Sequence, residues 1–265
     1  MTPEQCRAGR ALADMSQQAL ADAAQVAKVT IISFEKAYSR GRNPRALYPL
    51  GVACLQRKML GSALHAFNES QRQGLPIPAD MQPALAQLRR DVGAIATHLR
   101  LPIERVSAGL RDMERATLLL DQGEYAGAAA APRAAIKTFG DWPPPHNNLA
   151  AALFFDGQVP AAIAECRQVL AHERANLQAG VNLVRFLAWS GERTAADDEW
   201  RTLRLREPQY LPSEALKLAE GAAIMDDDAS IRRWLAPLAH WTVEQFGNWP
   251  HYEQAQRFLA IADAN

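Results

Sequence analysis

The sequence predicts an all-α chain: a small helical module at the front, then helix pairs stacked side by side, then a capping helix. Three observations carry that expectation. Gly123, Gly157 and Gly191 recur at intervals of 34 residues, and the segments on both sides of each glycine are apolar at helical spacing. A fixed period of that length marks a unit of two helices that buries its core only against its neighbours. Small residues also repeat in step, Ala116 and Ala150 in the first helix, Ala128, Ala162 and Ala196 in the second. These are places where helices cross too closely for a large side chain. Finally, aromatics are 7% and charged residues 22% of a chain rich in alanine and leucine, a composition that suits a helix-rich protein.

With 265 residues the chain is long for one ordinary core but natural for a small domain followed by a helical array. Its formal net charge is zero, yet the ends differ: residues 1 to 75 hold ten Lys/Arg against five Asp/Glu, leaving nineteen against twenty-four for the remainder. The front is basic, which permits contact with nucleic acid. Cys6, Cys54 and Cys166 are far apart and form no CxxC pair, so they are expected as buried thiols in a reducing compartment. No apolar run approaches the length of a membrane span and no signal-peptide core stands near the start. A cytoplasmic location with no membrane partner is the expectation.

At the front, Thr2 and Pro3 open a first helix to about Asp14, Ser16 caps a short second helix SQQALADAA, and KVTIISFEKA forms a third after a break at 25 to 27. Two short helices joined by a tight turn can lay the second in the DNA major groove. Ser16-Gln17, Leu20-Ala21, Val26, Ile31 and Glu35 follow the pattern SQxxLA…V…I…E, and on these residues the segment resembles the Xre and phage-repressor type of helix-turn-helix domain. The resemblance covers residues 1–44, with a soft boundary that extends to about 60. It implies that Gln17 holds a phosphate, that Lys28, Val29 and Ser33 face base edges, and that Arg40 and Arg42 reach phosphates and position the domain. The sequence departs from the family pattern at Gln25 and Ala37, where glycine is usual.

Residues 45–108 read as a first helix pair, ALYPLGVACLQRK followed by a helix through Ala63 and Phe67 to a turn at Gly74, and then an atypical insert. Pro78 opens a helix striped by Leu85, Leu88, Val92, Ile95 and Leu99. The interval from Ala63 to Ala128 is 65 residues and not a multiple of 34, so an inserted helix pair is expected, its second helix starting at Pro102. From 109 to 265 the repeats are expected to start at Gly109, Pro143 and Leu177. A degenerate unit follows from Leu211, in which Met225 takes the place of the turn glycine, and Trp249-Pro250 begins the capping helix. The copies NNLAAALFFDGQVPAAIAECRQVL and VNLVRFLAWSGERTAADDEWRTL resemble the tetratricopeptide repeat family. That resemblance implies an α-solenoid of about four to six helix pairs, with the first helix of each pair on the concave side.

Within the repeats, Asn147, Phe155, Arg185 and Trp189 stand at inward offsets, alongside Met113, Thr117, Ala151 and Val181. They are the candidate peptide- or protein-binding residues: Phe155 and Trp189 as apolar anchors, Asn147 and Arg185 fixing a backbone or an acidic group. The alternative use of Phe155 and Trp189 is to cover the neighbouring repeat. The Lys and Asn offsets of a carboxylate clamp are absent at Met113, Thr117, Asn147 and Ala151, which disfavours chaperone-tail binding. The six histidines are scattered without an HxxxH or HExxH pair and are expected at the surface or at helix ends, and Asp226-Asp227-Asp228 reads as a solvated acidic turn. With no phosphate loop or nucleophile motif, neither a catalytic site nor a cofactor is expected.

Two functions fit. The first is a DNA-binding transcriptional regulator whose repeats bind a controlling peptide or protein, an arrangement similar to peptide-responsive bacterial regulators; a homodimer is expected, since paired half-sites match two-fold proteins. The second is a non-enzymatic interaction scaffold in which the front helices only cap the stack, and Gln25, Ala37 and the thin set of base readers motivate it.

Overall fold

A computed structural model describes residues 47–121, 123–206, 212–246 and 249–264. The module expected over 1–44, with Gln17, Lys28, Val29, Ser33, Arg40 and Arg42, lies outside the described residues, as do Pro208 and Leu211. All regular structure among the described residues is helical. The chain divides into two compact units, residues 1–148 and 149–265.

In the first unit, α1 (Leu47–Gln56), α2 (Leu60–Arg72), α3 (Gln82–Leu99), α4 (Ile103–Asp121), α5 (Tyr125–Ala128) and α6 (Ala130–Phe139) lead to the start of α7 (Pro143–Phe155). α2 packs on α1 and α4, α3 lies against both α2 and α4, and α6 lies on α4. Their apolar stripes meet in a core containing Phe67, Leu85, Leu88, Val92, Val106, Leu110 and Phe139. α1 and α2 are the expected first pair, and α2 ends at a left-handed Gly74, φ 73°.

The expected insert differs: it is one helix, α3, and not a pair. The helix that follows Pro102 is α4, which runs unbroken from Ile103 to Asp121 and so is itself the first helix of the next pair. Gly109 therefore does not start a unit. It sits inside α4, where a Cβ would lie 2.4 Å from Cζ of Phe139, so its role is close approach of α6 and not chain reversal. The second helix of this pair is broken at Ala129, because Pro132 has no N–H to give to the turn before it.

One carboxylate ties the first unit together across a long stretch of chain. Glu114 of α4 accepts hydrogen bonds from Gly61 N (2.8 Å), Ser62 N (2.9 Å) and Ser62 Oγ (2.6 Å). Those amides belong to the first turn of α2, whose own preceding residue, Met59, has no side-chain oxygen to cap it.

In the second unit, α8 (Val159–His172), α9 (Leu177–Trp189), α10 (Arg193–Leu203), α11 (Pro212–Ile224), α12 (Asp228–Leu235), α13 (Val243–Phe246) and α14 (Trp249–Ala264) follow the end of α7. α9 packs on α8, α10 and α11; α14 lies on α11 and α12. Helices begin at Pro143 and Leu177, as the 34-residue period predicts.

The ladder glycines take left-handed backbone, φ 71°, 79° and 83° at Gly123, Gly157 and Gly191. Each is followed by the six-to-one bond of a Schellman turn: Glu124 N to Leu119 O, Gln158 N to Leu153 O, Glu192 N to Leu187 O. The next such turn after Gly191 is closed by Asp227 N to Ala222 O. Its left-handed residue is Asp226, φ 57°, so Met225 does not replace the glycine. The last step of the ladder is 35 residues, one more than the others, and Met225 is free to be buried at 7% exposure.

The aspartate triplet is not a uniformly solvated turn. Asp226 is exposed, but Asp227 caps α12, accepting from Ser230 N (3.1 Å) and Ser230 Oγ (2.7 Å), and takes the indole N–H of Trp200 at 3.0 Å. Burial opposes its charge, but the hydrogen bonds from Ser230 and Trp200 outweigh it and hold the carboxyl below its ordinary range. His146 stands at a helix end, in the first turn of α7, but is 5% exposed, with Nε2 3.1 Å from Gly140 O. Cys54 and Cys166 are buried, and Cys6 lies outside the described residues.

Candidate functional site

The site is built on α9, a helix apolar enough to bury most of its circumference. Its N-terminus is fixed by Asn176, whose side chain accepts from Ala179 N at 2.9 Å. Val181, Leu183, Val184, Phe186 and Leu187 point into the core. Gln178, Asn182, Arg185 and Trp189, at steps of four, three and four, share the remaining face.

At the C-terminal end of that face Trp189 is 76% exposed, the most exposed of the large apolar residues described. It is not adrift, because its ring meets Phe154 edge-on at 5.9 Å. Phe154 in turn stacks on Phe186, with centroids 4.3 Å apart and planes at 16°, and carries Phe155 edge-on at 5.5 Å. Phe155 is 47% exposed. The two outer rings are thus held by the half-buried Phe154, itself stacked on the buried Phe186, and are open to solvent, the low-entropy apolar platform that hot spots use.

One turn earlier, Arg185 contacts the Glu220 carboxylate of α11, their side chains 31% and 17% exposed. Glu220 also accepts from Lys217 Nζ at 2.9 Å. Lys217 Nζ reaches on to Asn182 Oδ1 at 3.3 Å, which Gln178 Nε2 approaches at 3.4 Å. The Asn182 amide N–H₂ has no hydrogen-bond partner, and the residue is 2% exposed. Two cations thus meet one carboxylate, and Lys217 joins that cluster to Asn182, whose amide is a spare donor. Burial lowers the Arg185 pKa; burial, then the Arg185 charge, lowers that of Lys217, although its contact with Glu220 works in the opposite direction. Burial, with the Glu165 charge next, pushes the Cys166 thiol up to about 12, so it stays protonated and is no nucleophile at neutral pH.

Of the four predicted binding residues, Phe155, Arg185 and Trp189 lie in the second unit. Asn147 lies in the first, buried at 7% exposure on α7. Phe154, Asn182, Lys217 and Glu220 were missed. A signal for two of them was present: counting 35 in the last step of the ladder places Lys217 level with Asn182 and Glu220 level with Arg185. With a step of 34 the same offsets fall on Leu216 and Ala219, which carry no charge. Among the described residues no group of three His, Cys, Asp or Glu side chains is placed to hold a metal, and no helix is long and apolar enough to cross a membrane. No protein-family model matches the sequence, and comparison with curated proteins finds no match.

Proposed function

We propose that the chain is a DNA-binding transcriptional regulator whose tetratricopeptide-type helix pairs bind a peptide or protein partner. One observation carries the partner half of the proposal: Trp189 is 76% exposed yet held edge-on by the Phe154 ring, one helical turn from Arg185. A tryptophan ring held at an edge by Phe154 and otherwise open to solvent suits an anchor for an incoming apolar side chain. The partner is an extended or helical segment with an apolar residue for Trp189 and Phe155 and an acidic group for Arg185 and Lys217. The DNA half rests on the helix-turn-helix pattern of residues 16 to 35 and on the basic front of the chain.

Selection of displayed peptides on the full chain tests the first half. Enriched sequences are expected to combine an aromatic or aliphatic residue with a nearby Asp, Glu or free carboxyl terminus, and to lose binding to Trp189→Ala. Enrichment that survives both Trp189→Ala and Phe155→Ala refutes the proposed face. For the DNA half, Lys28→Ala, Arg40→Ala and Arg42→Ala together are expected to abolish retention on duplex DNA at low salt. The second function, a scaffold without DNA binding, is favoured by Gln25 and Ala37, and gel-shift selection that recovers one enriched duplex sequence eliminates it.

A further inference from the structure

A second polar concavity lies wholly within the first unit. α2, α3 and α4 enclose a cleft of about 420 Å³ lined by Leu64, His65, Asn68 and Arg72 of α2, Arg89 of α3, and Ile103, Glu104, Ser107 and Arg111 of α4. Its charges are unbalanced: three guanidinium groups face a single carboxylate, Glu104. Arg72 is partly answered outside the lining by Glu69 at 3.2 Å. Neither of the other two forms an ion pair among the described residues, although the Asp112 and Glu114 carboxylates outside the lining act on Arg111. Arg89 gives its Nη2 hydrogens to neutral acceptors, Gln71 Oε1 at 2.7 Å and Asn68 Oδ1 at 3.3 Å. Arg111 Nε is buried from solvent without a hydrogen-bond partner, although a buried guanidinium N–H left unbonded costs on the order of 1–3 kcal/mol.

We propose that this cleft binds the phosphate monoester of a small molecule, with Arg111 and Arg89 on the phosphate. Three guanidiniums against one carboxylate in the lining favour a dianion over a monocarboxylate, and the planar fork of arginine suits phosphate oxygens. The phosphate also meets the N-terminal end of α4, where Ile103, Glu104 and Ser107 line the cleft and the helix dipole is positive. His65 is kept towards its neutral form by burial and by the Arg111 charge, so it adds a neutral donor to the same oxygens. Leu64 and Ile103 give an apolar floor. Glu104 repels a second anionic group but accepts from hydroxyls, so a sugar phosphate or mononucleotide matches the whole lining better than inorganic phosphate. The volume sits within the roughly 300–1,000 Å³ of small-ligand sites and leaves no room for a duplex.

Calorimetric titration of the full chain with ribose 5-phosphate, adenosine 5′-monophosphate, adenosine and inorganic phosphate tests the proposal. Saturable binding of the two monoesters is expected, weaker binding of inorganic phosphate, and none of adenosine. Arg111→Gln is expected to weaken the monoesters by roughly tenfold or more. Arg89→Gln, at an exposed position that leaves the fold intact, is expected to weaken them as well, so a failure of the Arg111 variant to fold does not shield the proposal. Absence of monoester binding overturns it. Equal binding of inorganic phosphate and both monoesters overturns the sugar-phosphate assignment, and displacement of bound monoester by duplex DNA reassigns the cleft to phosphodiesters and overturns it too.

Discussion

Replacing Asp227 with alanine is expected to destabilise the second unit by about 2–4 kcal/mol, with the loss divided between two helices. Asp227 Oδ1 accepts from Ser230 N at the start of α12, and Oδ2 accepts from Ser230 Oγ and from Trp200 Nε1 of α10. Loss of an N-cap costs about 1 kcal/mol. Loss of the Trp200 partner adds about 1–3 kcal/mol, because that indole is almost fully buried and Asp227 is the acceptor its N–H uses. Asp227→Asn keeps an oxygen for Ser230 N but puts an amide where the indole needs an acceptor, so it is expected to lose less than alanine and more than wild type.

The same carboxylate gives a signed pH dependence. Its folded pKa lies below the ordinary value, so its contribution is complete above the unfolded pKa near 4 and is lost as pH falls through the folded pKa. The wild type is therefore expected to lose more stability between neutral pH and pH of about 2 than Asp227→Asn does. Urea unfolding followed by far-ultraviolet circular dichroism measures both effects. An alanine variant within about 0.5 kcal/mol of wild type, or a double-mutant cycle with Trp200→Phe showing no coupling, refutes the assignment.

Asp226→Gly is expected to stabilise by about 0.5–1 kcal/mol, since it removes a Cβ from left-handed backbone at φ 57° and disturbs only a surface contact with Arg193, as a rise in the urea midpoint shows. Gly109→Ala is expected to cost about 1–3 kcal/mol in the same assay, because the new methyl meets the buried Phe139 ring and has no room to move. Glu220→Ala leaves Arg185 and Lys217 facing each other; with solvent partly screening them the loss is about 1–3 kcal/mol, and added salt is expected to recover part of it. Trp189→Ala is expected to leave stability within about 1 kcal/mol while removing peptide capture, since most of that ring faces water.

The helix pairs were legible because a left-handed turn selects glycine, and three glycines at equal spacing leave little else that they can be. The same signal failed where another residue tolerates the conformation. Asp226, Arg100 and Lys58 all take positive φ without being glycine, so three turns were invisible to a search for that residue. Gly109 misled in the opposite way, being small for the sake of Phe139 and not of the backbone. The aromatic platform was half visible: fixed offsets found Phe155 and Trp189, but Phe154 lies one position out of register and shows itself only through its stacking on Phe186. Lys217 and Glu220 were hidden behind the 35-residue step.

That extra residue also bears on how the chain could be lengthened. A duplication of residues 158–191 would add a 34-residue unit and a duplication of 192–226 a 35-residue unit, each copy carrying its own left-handed turn residue, Gly191 in the first case and Asp226 in the second. Only the first would extend the run of equally spaced glycines.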